Sequence, residues 1–287
     1  MSAPGELAVL SGVILDAGLK ATLMMGAASA LSLLLGRSGA WASASVRHAV
    51  WAASLGCLPV LPWMAHRRGA LIAVDAPWVF QLWAVGAALA AVPLLLGLLR
   101  LAWLRREATP GPGGVLYHPR LAGPVTWGLL RPVVLLPAAA RDWAGPIRDA
   151  ALAHERAHIA RRDWPVHIAA WCVCVLFWFH PAVWLARRRL AQEAEHAADD
   201  AVLAQGVRPS DYASLLVGLA QGGQPRVALG VARSPVGQRV QAVLGTRSRG
   251  SRRWPIWLLA LLLAGLSLPA LGAWPTWTAP QDTLTCQ

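Results

Sequence analysis

The chain has 287 residues, 56% hydrophobic and only 14% charged, with a formal net charge of +12 and a mean hydropathy of +0.47. That balance argues against an ordinary soluble domain and for a membrane protein. The positive charge does not by itself signal nucleic acid: the run RSRGSRR at 247–253 precedes an apolar span, where arginines contact anionic membrane lipids and hold topology, so no direct nucleic-acid binding is expected.

Three apolar stretches open the chain, at 7–35, 46–65 and 78–104, each long enough to cross a bilayer as a helix. Pro59, Pro62 and Pro93 would be forbidding in isolated helices but are tolerated where neighbouring helices re-satisfy the freed backbone groups. No Lys or Arg precedes the first apolar run, so a cleaved signal sequence is not expected and the N-terminus is placed outside the cytoplasm. Residues 36–45 and 105–253 then lie inside and 66–77 outside, in keeping with Arg37, Arg47, Arg105, Arg106, Arg252 and Arg253 beside the inner span ends. Asp16 and Lys20, four residues apart in the first span, read as a neutralising ion pair near the outer face, and His48 and His66 as interfacial residues.

Residues 115–137 are rich in strand formers and broken by Gly-Pro and Arg-Pro turns. They read as short strands, with an edge able to take an extended substrate by strand addition. The helical stretch 147–162 follows and carries His154-Glu155-Arg156-Ala157-His158. Positions i and i+4 lie one above the other on a helix, so both imidazoles face the same way and can grip one zinc ion. Glu155 is then placed to take a proton from the water that the metal activates. Arg156 points to solvent.

Zinc needs a third protein ligand. Glu195, in QEAEHAADDAVL, is the best candidate. On a helix it shares a face with Asp199, which then hydrogen-bonds the outer nitrogen of a ligand histidine. Glu193 and His196 lie on other faces and are weaker candidates. The apolar stretch 165–186 is also long enough to span a bilayer, but a crossing there would part Glu195 from the histidines. The expectation is therefore a buried core helix, or one lying partly in the bilayer. Tyr117, His118, His167, His180 and Tyr212 are candidate oxyanion stabilisers. Cys172 and Cys174 read as core rather than ligands, and with Cys57 and Cys286 they form no disulfide framework. Residues 221–253, with several Gly, Pro and Ser, read as a flexible link into a fourth span at 254–273, flanked by Trp254, Trp257 and Trp274.

Taken together, SVRHAVW at 45–51, GPVTWGLLRPVVLLP at 123–137, LAHERAHIARRDW at 152–164, FWFHPAVWLARRRLAQEAEHAADDAVL at 177–203 and RPSDYASLL at 208–216 resemble the membrane metallopeptidase portion of the BlaR/MecR antirepressors. The resemblance implies a mainly α, polytopic helical membrane protein. It would have about four transmembrane helices and a cytosolic gluzincin-like zinc peptidase domain containing a few short strands. Three spans would occupy 1–104, the cytoplasmic peptidase domain 105–253, the fourth span 254–273 and a short extracytoplasmic tail 274–287. Carried over by motif, His154, His158 and Glu195 are Zn2+ ligands, Glu155 is the general base, and Asp199 orients a ligand histidine. Ala198 stands where the family commonly has cysteine, which a site of two His and one Glu does not need. The implied substrate is a cytosolic transcriptional repressor, cleaved from the bacterial inner membrane with the active site facing the cytoplasm; a homo-oligomer is compatible with this. The full-length sensors carry a penicillin-binding domain after the last span. Only the tail follows here, so a member lacking that sensor is expected, triggered through a partner, the outer loop or the membrane. The alternative from another class is a catalytically inactive signal transducer or scaffold.

Overall fold

The computed structural model describes residues 3–37, 43–68, 76–221 and 236–245. The expected fourth span at 254–273, the basic run before it and the tail at 274–287 lie outside the described residues. Among the described residues, Val9–Leu35, Ala44–Arg67 and Trp78–Glu107 are long and apolar enough to cross a membrane. They correspond to α1 (Ala3–Arg37), to α2 (Ala44–Cys57) with α3 (Val60–Arg68), and to α4 (Pro77–Glu107). The second expected span is thus two helices, broken at Leu58–Pro59. A proline within a helix removes a ladder hydrogen bond and clashes with the preceding turn. Pro93, by contrast, is accommodated inside a continuous α4.

The three segments bury very different shares of themselves. The apolar window of α2–α3 is 61% buried, that of α4 only 6%. Leu82, Leu89, Leu96 and Leu99 of α4 are all more than half exposed. Apolar surface of that extent is unstable in water and marks contact with lipid or with another protein. The Asp16–Lys20 pair forms as expected, at 2.7 Å and largely buried.

The 165–186 stretch is neither one helix nor a crossing. α6 (Asp163–Leu176) ends at Phe177, the chain reverses, and α7 (Pro181–Leu203) runs back, with Pro181 at its first turn where a missing N–H costs nothing. The reversal is wedged between α1 and α4. Phe179 lies against Gly18, His180 meets the Thr22 hydroxyl at 2.9 Å, and Trp178 donates to the Trp83 carbonyl at 3.1 Å. A Cβ on Gly86 would run into the Trp178 ring, so glycine is needed for this approach. The main apolar core joins Met24 and Met25 of α1, Trp51 and Leu55 of α2, Val173 and Cys174 of α6, and Val183 and Leu190 of α7. Helices of the long apolar segments that open the chain and helices that follow the small sheet therefore share one core. Cys172 lies on the exposed face of α6, so only Cys174 of that pair is core.

Between α4 and the next helix lies a small sheet of β1 (Thr109–Pro110), β2 (Leu116–His118), β3 (Val125–Trp127) and β4 (Val133–Pro137), ordered β1-β2-β4-β3. β2 and β4 are parallel, and β3 pairs antiparallel to β4 with Thr126 opposite Val134. The two leucines of β4 bury on opposite faces, as alternate strand residues must. Leu135 packs with Leu101, Leu104 and Trp127, and Leu136 with Val115, Tyr117 and Ala140. β3 is left as an edge. The turn after it requires Gly128, at φ 120°, because a Cβ there would meet the Arg131 carbonyl at 2.6 Å.

α5 (Gly145–Arg161) then enters through Pro146 in its first turn. α8 (Pro209–Gln221) and α9 (Val236–Leu244) close the described chain. α9 lies inside the stretch expected to be a flexible link. It forms because Val236, Val240 and Val243 recur at helical spacing and pack against Leu203, Tyr212 and Leu216.

Because α6 and α7 form a hairpin, exposed Arg156 and exposed Gln205 lie on one side of the bundle. In a background without native cysteines, Arg156→Cys and Gln205→Cys should react with an impermeant maleimide from the same face of sealed vesicles; labelling from opposite faces would contradict the hairpin.

Candidate metal centre

α5 and α7 bring the expected residues together. His154 and His158 stand one turn apart on α5, with their Nε2 atoms 3.1 Å apart. From α7, Glu195 approaches both: one oxygen is 3.6 Å from His154 Nε2 and the other 3.8 Å from His158 Nε2. One donor atom from each of the three falls within 4.8 Å of the others. Glu155 and the faces of all three line a cleft of about 1020 Å³.

Each imidazole is held from behind by a buried carboxylate. Asp199 lies 3.2 Å from His154 Nδ1, one turn after Glu195 on α7. Asp163 accepts from His158 Nδ1 at 2.8 Å. That second contact depends on Arg162, which takes a left-handed conformation (φ 58°) and turns the chain so sharply that α6 starts at the next residue. A side-chain residue held there costs about 1–2 kcal/mol. Tyr212 of α8 donates its hydroxyl to Asp199 at 2.7 Å and lies 2.9 Å from His154 Nδ1. Arg239 of α9 grips Asp199 through two bonds of 2.6 and 2.9 Å and reaches Glu195 at 3.0 Å. Thr126 of β3 donates to Glu155 Oε2 at 2.6 Å.

The electrostatics follow from burial and neighbours. Burial alone would raise Glu195, but the Arg239 guanidinium and the two histidines hold it well below the ordinary carboxylate range. Burial likewise opposes ionisation of Asp199, yet Arg239 and His154 bring it down to about 2. Asp163 is held low against burial by the His158 hydrogen bond and Arg161. Burial pulls His154 down, but its bonds to Asp199 and Glu195 outweigh this and raise it to about 9. Burial and the neighbouring Asp199 push the Tyr212 hydroxyl far up, so it stays a donor. Four carboxylates (Glu155, Asp163, Glu195 and Asp199) thus face two guanidiniums (Arg161 and Arg239) around a histidine pair. Negative charge in this buried place exceeds that of the guanidiniums, which favours further positive charge at the histidines. A proton on His154 supplies part of it; a divalent cation held by the histidine lone pairs and Glu195 would supply more, and the two compete. Two imidazoles and a carboxylate in an open cleft are a donor set that suits catalytic zinc.

Of the other residues singled out in the sequence, Glu193 turns away to pair with Arg47, and Arg156 is exposed. His167 and Tyr212 line the cleft, and the Tyr212 hydroxyl is already engaged by Asp199. Tyr117 and His118 are buried in β2, and His180 sits in the α6–α7 turn. His48 is buried among helices, with Nε2 3.7 Å from Asp163. Asp163, Thr126 and Arg239 had no role on sequence grounds. A carboxylate five residues after the second histidine was the one available hint.

Comparison with known proteins points to a peptidase family. Residues 112–243 match the family described as BlaR1 peptidase M56. The regulatory protein BlaR1 of Bacillus licheniformis is 29% identical over 85 residues, which make up 30% of this chain and 14% of that protein.

Tyr212→Phe removes a buried hydroxyl that serves two partners and should cost about 1–3 kcal/mol of stability. Thermal unfolding in detergent checks this; an unchanged midpoint would show the bridge to be idle.

Proposed function

We propose that this chain, a BlaR/MecR-type peptidase, is a membrane-embedded zinc metalloendopeptidase that regulates gene expression by cleaving a cytosolic transcriptional repressor. The observation that carries the proposal is the convergence of His154, His158 and Glu195 in a cleft that Glu155 also lines. These three would hold Zn2+, with Asp163 and Asp199 fixing the tautomers of the two imidazoles through their Nδ1 atoms. Bound there, zinc supplies Lewis-acid polarisation of the attacking water and of the scissile carbonyl.

The chain's own residues do the rest. Glu155 takes a proton from the water and passes it to the leaving amine, general acid–base work worth about 10²–10⁴-fold. Thr126 ties down one Glu155 oxygen and leaves the other to accept that proton. Because Thr126 sits on the edge strand β3, the strand that orients the base also offers main-chain groups to an extended substrate. Substrate lying along β3 would pass the exposed Leu129 and Leu130. In this reading the enzyme sits in the bacterial inner membrane with its cleft toward the cytoplasm, which the long apolar helices and the arginines beside the span ends support. The repressor as substrate rests on family likeness.

Glu155→Gln should lower cleavage of a co-expressed repressor by about 10²–10⁴-fold while zinc content stays at the wild-type level. Fragment mapping and metal analysis on the same preparations read both. Undiminished cleavage would refute Glu155 as base, and the absence of cleavage in wild type would favour a catalytically inactive transducer.

A further inference from the structure

Both halves of the metal centre are braced from the membrane side by one helix. α2 begins at a capped turn, with Ser43 accepting from the Val46 amide at 3.4 Å, and runs into the apolar core through Trp51 and Leu55. Its first turn carries two adjacent polar residues, Arg47 and His48, both at least nine-tenths buried. Burial of such groups is costly unless each has a partner.

Each reaches a different ligand-bearing segment. Arg47 makes a two-pronged ion pair with Glu193 of α7, Nε to one oxygen and Nη2 to the other, both at 2.7 Å. Forked guanidinium–carboxylate pairs are directional as well as strong. Glu193 precedes Glu195 by two residues, about 200° around a helix, so α2 grips α7 on the face opposite the cleft. His48 reaches the other half. Its Nε2 is buried without a hydrogen-bond partner and stands 3.7 Å from one Asp163 oxygen, while the second Asp163 oxygen holds His158. The groups facing this corner are Asp163, His158 and Arg161, together with His167 of α6.

We propose that Arg47 and His48 are positioning residues for the metal centre, fixing Glu195 through Glu193 and His158 through Asp163, so that the membrane bundle and the peptidase site move as one unit. This rests on the zinc reading above and extends it. A shift of α2 along or about its axis reaches ligands on both α5 and α7 at once. Neither residue touches the cleft, so their effect appears in the affinity for metal rather than in the chemistry.

The test is zinc affinity of the full chain in detergent, by competition with a chelator of known affinity. Unfolding midpoints of the chelator-treated proteins are measured in parallel. Arg47→Met and His48→Ala should each weaken zinc binding by about tenfold, the lower end for loss of an outer-sphere partner. The exchange Arg47→Glu with Glu193→Arg should restore it, because the fork is rebuilt in reverse. Affinity within about threefold of wild type in folded single variants overturns the proposal. So does an exchanged pair that recovers stability but not affinity, since that is the signature of a merely structural brace. If the single variants fail to fold, the exchanged pair decides alone. Wild type that binds no zinc removes the zinc reading itself, and this inference with it. Wild type that binds zinc, beside variants that bind it equally, overturns this inference only.

Discussion

The site depends on a reversal of the chain. Two histidines one turn apart on α5 supply only two donors, and the third stands on α7, beyond an apolar stretch long enough to cross a bilayer. Glu195 reaches them because α6 and α7 fold into a hairpin whose turn, Phe177–His180, is held among Gly18, Thr22, Trp83 and Gly86. The same apolar residues that would insert as a span instead pack on α1, α2 and α4. The candidate two-helix metal site is thereby built on the bundle of apolar helices rather than beside it, which is why a bundle helix can touch the elements that carry the proposed ligands.

The second constraint is charge. Carboxylates crowd the histidine pair in a largely buried place, and each has a hydrogen-bond or ion-pair partner, though the guanidiniums are fewer than the carboxylates. Asp199 has Arg239 and Tyr212, Asp163 has Arg161 and His158, and Glu155 has Thr126. Arg239 compensates two carboxylates at once, which leaves Glu195 ionised, with one oxygen shared between Arg239 and His154 and the second turned to His158. α9 is in this sense part of the site although it lies late in the chain.

How much of this could be read in the sequence follows from range. His154, Glu155 and His158 show themselves because the helix period alone decides which side chains share a face. Glu195 and Asp199 are one turn apart and obey the same rule, so their pairing and their turn toward the histidines were legible, though not which imidazole Asp199 backs. Asp163 escaped because its approach to His158 needs a left-handed residue at Arg162, and nothing local announces that conformation in an arginine. Arg239 escaped because it stands 40 residues from Asp199, in a Gly- and Pro-containing stretch that reads as a linker. The approach of His48 to Asp163 escaped because hydropathy sets depth along a span and not which face meets another helix. The hairpin itself was hidden for a related reason: Phe177, Trp178 and Phe179 continue the apolar run straight through the turn, and Pro181 was its one local mark. The long apolar helices within residues 1–107 and the short strands, which depend on length and alternation, were plain.

The most direct test of the whole account is elemental analysis of the intact, detergent-purified chain. The account predicts about one zinc per chain in wild type and background levels in His154→Ala and in Glu195→Ala, as expected for a three-ligand catalytic site. A wild-type chain that holds no divalent metal even after reconstitution, or a Glu195→Ala chain that holds as much as wild type, would contradict it.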